Sequence, residues 1–122
     1  MRGIKRLPVA PAAKFRTIIG RTLQFARRSR FPDQRAFAAR VGISQPTLSR
    51  IESGTGNLSV VQLRNLAEAL GLSASEILKR AERTETELAR QGVTVVRDDK
   101  PEGRALAFLG GAALDALLAG KE

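Results

Sequence analysis

The sequence predicts a mainly α fold: five short helices, then a small C-terminal segment made of a β-hairpin and one further helix. Three observations carry that prediction. From Phe15 to about Gln91, apolar residues recur at helical spacing and never alternate over a sustained run. Most of these segments have a polar capping residue in front and a glycine or proline behind. After Gly92 the chain switches to the β-forming run Val93, Thr94, Val95 and Val96, followed by turn-forming residues. A chain of 122 residues can bury one compact core with a small appendage.

Residues 1–11 hold Gly3, Pro8, Pro11 and scattered charges, and read as a mobile basic arm. Phe15, Ile18, Ile19, Thr22, Leu23 and Ala26 then follow an i, i+3, i+4, i+7 pattern. This first helix ends near Arg30, ahead of Pro32, because a residue before proline avoids the α region. Asp33 caps a second helix, with Phe37, Ala38 and Val41 on its inner face and Gly42 as its stop. Ser44 caps a third, where Pro46 in the first turn loses no helical hydrogen bond. Leu48 and Ile51 point inward, and Gly54 ends it. Ser59 with Gln62 reads as a capping box opening a fourth helix, whose apolar stripe is Val60, Leu63, Leu66, Ala67 and Leu70. Ser73 with Glu76 reads as another, opening a fifth helix that starts with Ile77, Leu78 and Ala81 and turns polar toward Gln91. Beyond Gly92, Val93–Val96 and Arg104–Leu109 are expected to pair as a hairpin, with a short helix from about Gly111 to Ala119. One helix from Glu102 to Ala119 competes, at a cost of about 1 kcal/mol for each of Gly110 and Gly111.

Composition removes most chemistry. There is no Cys and no His, so disulfides, thiolate metal sites and imidazole catalysis are absent, and no cofactor is expected. Ser75 and Lys79 stand four apart on a helix surface without a base, so they make no nucleophilic pair and no enzyme is expected. Trp and Tyr are missing, which argues against aromatic platforms for single-stranded nucleic acid. The longest uncharged C-terminal stretch, Ala105 to Leu114, is too short to span a bilayer, and charges interrupt the N-terminal apolar residues. A cytoplasmic, nucleoid-associated protein without a membrane partner is expected.

Charge distribution is more specific than its total. The net charge is +9, and residues 1–31 carry nine Lys and Arg with no acid. The remainder is close to balanced. Such a concentrated positive field suits a polyanion, and phosphate contacts supply most of the sequence-independent affinity for nucleic acid.

The span Gln34 to Glu52 carries the function. Two short helices meet at the turn Val41-Gly42-Ile43-Ser44, with small Ala38 set against the turn. Val41, Ile43, Leu48 and Ile51 face inward, which leaves Gln45, Pro46, Ser49 and Arg50 outward on the second helix of the pair. That is the layout of a helix-turn-helix with an exposed recognition helix.

Residues 19–78 resemble the phage-repressor/Cro-like (XRE) helix-turn-helix family. The landmarks are Ile19-Gly20, Leu23, Arg27, Gln34, Phe37-Ala38, Gly42-Ile43-Ser44, Leu48 through Gly54, Asn57, Leu63, Leu66-Ala67, Leu70-Gly71 and Ile77-Leu78. The resemblance implies a five-helix domain over residues 12–78 that binds double-stranded DNA, as a homodimer, at operator-like sites. It implies that Gln45 and Arg50 read bases, since a glutamine amide pairs with adenine and a guanidinium with guanine. Pro46 then offers an apolar contact and Ser49 a small polar one. Gln34 is expected on a phosphate, as are Thr47 and Ser53. Arg27 and Glu52 are implied to pair with each other as a structural strut outside the reading set. Two departures weaken backbone attraction: Asp33 at the helix cap, and Thr55-Gly56 where a basic pair is common. Arg2, Lys5 and Arg6 on the arm are expected to offset this in a minor groove or on the backbone.

Residues 79–122 form a helical extension and a C-terminal segment outside the resemblance. Val93 to Val96 and Leu106 to Leu118 are expected at the dimer contact, with packing onto the chain's own fifth helix as the alternative. The function read from all this is a sequence-specific regulator, a repressor, acting as a homodimer on a pseudo-palindrome. The competing reading is an antitoxin whose C-terminal part binds a toxin, or another regulatory protein, while the DNA-binding half controls its own operon.

Overall fold

The computed structural model describes residues 10–96 and 106–119. In chain order the elements are β1 (Ala10–Lys14), α1 (Phe15–Arg30), α2 (Gln34–Val41), α3 (Gln45–Ser53), α4 (Val60–Ala69), α5 (Ala74–Arg90), β2 (Thr94–Val96), β3 (Leu106–Phe108) and α6 (Gly111–Ala119). The mainly α class stands, as do five helices followed by strands and a last helix. No helix among the described residues is long and apolar enough to cross a membrane.

The hairpin does not form. β2 and β3 each pair in parallel with β1, giving the order β2-β1-β3. Thr94 stands opposite Ala12 on one side, and Phe108 opposite Ala12 on the other. The expected arm is shortened accordingly, because Ala10 and Pro11 already belong to β1. The physical reason lies in β1 itself, whose backbone offers a pairing edge to each C-terminal strand. Its Ala12 and Ala13 are fully buried, so it can occupy the middle of the sheet without demanding space for side chains. The rest of the arm, with Arg2, Lys5 and Arg6, lies outside the described residues.

Two cores share α1 as a common wall. The first gathers Leu23, Ala26, Phe37, Ala38, Leu48, Ile51, Leu63, Leu66, Leu70 and Ile77 from α1 to α5, with Val41 and Ile43 packed at its edge. The second joins Ala13, Ile18, Ala81, Leu88, Leu114 and Leu118 from β1, α1, α5 and α6, together with Val93 just ahead of β2. Each large aliphatic side chain so buried contributes about 1.5–3 kcal/mol. Val93, Val96, Leu114 and Leu118, expected at a dimer contact, are thus buried within one chain. β1 and α1 supply in cis the apolar cover that was expected from a second copy. Outside this layer Asp115 on α6 pairs with Arg21 on α1, and Gln91 donates to the Leu117 carbonyl at 3.3 Å.

Two local expectations change. Val60, assigned to the inner stripe of α4, is 80% exposed, and Val61 is 67% exposed. Val60 is the first residue of the helix, where the chain has not yet turned its inner face onto the core. The Ser59–Gln62 capping box forms, with reciprocal bonds of 3.0 Å. At α5, Ser73 caps the Glu76 N–H, but the Glu76 carboxylate turns along the helix to Arg80 at 3.1 Å.

Candidate nucleic-acid interface

Local signals set the two helices of the site. Asp33 accepts from the Ala36 N–H at 3.2 Å and so starts α2. Gly42 ends it in the left-handed region at φ 80°, where a side chain would be strained. The Ile43 N–H returns to the Ala38 carbonyl at 3.0 Å, closing the turn. Ser44 then accepts from the Thr47 N–H at 3.2 Å to start α3.

The pose of α3 depends on one close approach and one ion pair. At Gly20 on α1, an added Cβ would lie 2.4 Å from the Ile51 carbonyl oxygen, so only glycine lets α1 and α3 come this near. Seven residues along α1, Arg27 meets Glu52 at the end of α3 through Nε to Oε2 at 2.5 Å and Nη2 to Oε1 at 3.1 Å. Both side chains are almost wholly buried. The remaining nitrogen of Arg27 donates to the carbonyls of Phe31 and Pro32 at 2.9 and 3.2 Å, which ties the α1–α2 connection to the same point.

A line of polar contacts leads from that pair to the surface. Gln34 Nε2 donates to Glu52 Oε1 at 3.0 Å, Gln45 Nε2 donates to Gln34 Oε1 at 3.3 Å, and Arg35 Nε donates to Gln45 Oε1 at 3.3 Å. The amide of Gln34, expected on a phosphate, is therefore engaged inside the protein. Its backbone N–H stays in the first turn of α2, where helical N–H groups have no partner within the helix.

The structure brings Gln45, Pro46, Ser49 and Arg50 to the face of α3 opposite the buried Leu48 and Ile51. Pro46, Ser49 and Arg50 are exposed, and Gln45 is half-buried by its α2 contacts. Thr47 and Ser53 are less available. Thr47 Oγ1 accepts from Ser44 at 2.8 Å, and the Ser53 hydroxyl donates to the Arg50 carbonyl at 3.1 Å. Arg35 was missed in the sequence. Its one signal is its position next to Gln34, in the first turn of α2.

The chain is similar to known proteins in sequence and fold. Residues 33–77 match the family model described as Helix-turn-helix. Over 69 residues the chain is 36% identical to an uncharacterized HTH-type transcriptional regulator, y4dJ, of Sinorhizobium fredii, spanning 57% of this chain and 90% of that protein. A crystal structure of the clp gene regulator ClgR from Corynebacterium glutamicum aligns with a TM-score of 0.62 at 27% identity, over 66% of this chain and 86% of that one. A second structure of ClgR aligns with a TM-score of 0.54 at 27% identity, over 57% and 91% of the two chains. By this sequence and fold similarity the chain belongs to the XRE-type helix-turn-helix family of DNA-binding transcriptional regulators.

Proposed function

We propose that the protein is a repressor that binds a pseudo-palindromic operator as a homodimer, with α3 of each copy in the major groove. The observation that carries this reading is the outward face of α3. Arg50 presents five N–H donors on an exposed side chain, suited to the O6 and N7 acceptors of guanine. Gln45 is assigned to adenine, Pro46 to a thymine methyl and Ser49 to a small polar contact. Backbone contacts are assigned to the N–H groups at the start of α2 around Gln34, to Thr47 and Ser53, and to Arg2, Lys5 and Arg6. The buried Arg27–Glu52 pair serves as the strut that holds α3 at a fixed angle.

One helix-turn-helix reads too few base pairs to select a genomic site, and a two-fold pair places two recognition helices about 34 Å apart. With Val93, Val96, Leu114 and Leu118 covered in cis, Val60 and Val61 are the favoured contact. They stand side by side at the start of α4, just after the loop that leaves α3. Val60 rims an open groove of about 460 Å³ whose floor includes Phe15, Ile19, Ile51, Leu58 and Leu63. The outward residues of the C-terminal layer, Phe108 and Leu117, are the competing surface. Sedimentation of the Val60→Asp, Val61→Asp double variant tests the assignment. A monomer that loses the operator supports it; an unchanged dimer moves the contact to Phe108 and Leu117. Sedimentation of the parent as a monomer, both free and on DNA, defeats the dimer altogether.

A further inference from the structure

Gln45 has four hydrogen-bonding positions on its side-chain amide: two lone pairs on Oε1 and two protons on Nε2. Two are taken within the protein. Arg35 occupies one lone pair and Gln34 takes one proton, each at 3.3 Å. What remains is one acceptor position on Oε1 and one donor on Nε2. Adenine shows the complementary pair in the major groove, the N6–H donor beside the N7 acceptor.

The polarity of the amide is determined from both ends of the contact line. A carboxylate only accepts, so the atom of Gln34 facing Glu52 is nitrogen, and its oxygen faces Gln45. A guanidinium only donates, so the atom of Gln45 facing Arg35 is oxygen, and its nitrogen faces Gln34. The two ends agree. A single bond from Gln34 to Nε2 would still let the Gln45 amide swing about that bond. A second bond, on Oε1, defines its plane. Arg35 is exposed, so this second bond is made at the protein surface, beside the reading face.

We propose that Arg35 is a positioning residue for base recognition: it holds the Gln45 amide in the plane and polarity that select adenine. The inference rests on the assignment of Gln45 as a base reader and extends it to a residue on the preceding helix. Arg35 thereby acts on specificity through another side chain. A residue whose guanidinium served only as a phosphate contact would add affinity without preference.

The test compares the parent, Arg35→Met, Gln45→Ala and the Arg35→Met, Gln45→Ala double variant. Each is used to select sites from random duplex DNA, and its affinity is then measured on the parent's site and on single-base variants of that site. Gln45→Ala should erase the adenine preference at one position per half-site. Arg35→Met should reduce that same preference by about five- to tenfold, at the low end of the range of one bidentate contact. Other positions should be unaffected, and so should the melting temperature. In the Gln45→Ala background, Arg35→Met should change no base preference. Weakening of all sequences alike by Arg35→Met, with a salt slope lower by about one, identifies a phosphate contact and overturns the proposal. If Gln45→Ala removes the adenine preference and Arg35→Met leaves it intact, the positioning role alone falls. If Gln45→Ala leaves all preferences unchanged, the base-reading assignment falls and the positioning role with it.

Discussion

Arg27→Ala tests whether the α1–α3 junction is a strut or part of the DNA-binding surface. The guanidinium makes two bonds to Glu52 and two to the carbonyls of Phe31 and Pro32. Its removal leaves the Glu52 carboxylate, whose side chain is only 2% exposed, with the Gln34 amide as its remaining side-chain donor. Removing one partner of a buried ion pair costs about 3–5 kcal/mol, chiefly because the other charge stays buried. For a chain of this size each kcal/mol moves Tm by roughly 3–5 °C, so a fall of roughly 10–20 °C is expected. Replacing both members, as Arg27→Met with Glu52→Met, should recover most of the loss because no isolated charge remains. Thermal melting followed by circular dichroism, alongside urea titration, reads the effect. The folded fraction of Arg27→Ala should still prefer the parent's operator, with weaker affinity because α3 loses its anchor on α1. A variant that melts within about 2 °C of the parent yet fails to bind DNA would rule out the strut and place Arg27 among the DNA contacts.

Gly20→Ala should destabilise by about 1–3 kcal/mol and weaken operator binding, because its methyl would meet the backbone of α3 rather than a yielding side chain; urea denaturation with a binding assay checks both. DNA affinity should fall steeply and log-linearly with salt, since Lys and Arg on phosphates release counterions. Replacing Arg2, Lys5 and Arg6 with alanine should flatten that slope, and an unchanged slope would remove them from the interface. The hydrogen bond from Arg80, with the nearby charges of Arg80, Arg83 and Lys79, holds the Glu76 carboxyl below the usual carboxylate range. Its contribution to stability is therefore present above that range and lost as pH falls below it through the lowered folded-state value. Glu76→Gln should remove this part of the acid sensitivity in melts taken down the pH scale.

The helices were legible because their signals are local. Apolar spacing, Ser and Asp caps and glycine stops placed α1 to α5 close to their observed bounds, and α6 at Gly111–Ala119. β1 was not legible. Ala-Pro-Ala-Ala-Lys has little β-forming character, and it becomes a strand only because small side chains fit between β2 and β3. Without β1 in view, the C-terminal apolar residues had no visible cover in the same chain, which led to the dimer expectation for Val93 and Leu114. At the site, the outward face of α3 followed from the inward positions of Leu48 and Ile51. The Arg27–Glu52 pair could be read only through the family resemblance, since 25 residues separate its members. The bond from Arg35 to Gln45 crosses a turn and depends on side-chain rotamers, which spacing does not encode.

Whether α3 reads bases through its exposed face is decided by site selection from random duplex DNA with the parent and Arg50→Ala. The parent should yield a pseudo-palindrome. Arg50→Ala should lose about 1–3 kcal/mol of discrimination at one guanine position in each half-site, while its preferences elsewhere persist. Identical preferences for the two proteins, or a uniform loss across every position, would show that Arg50 does not read a base.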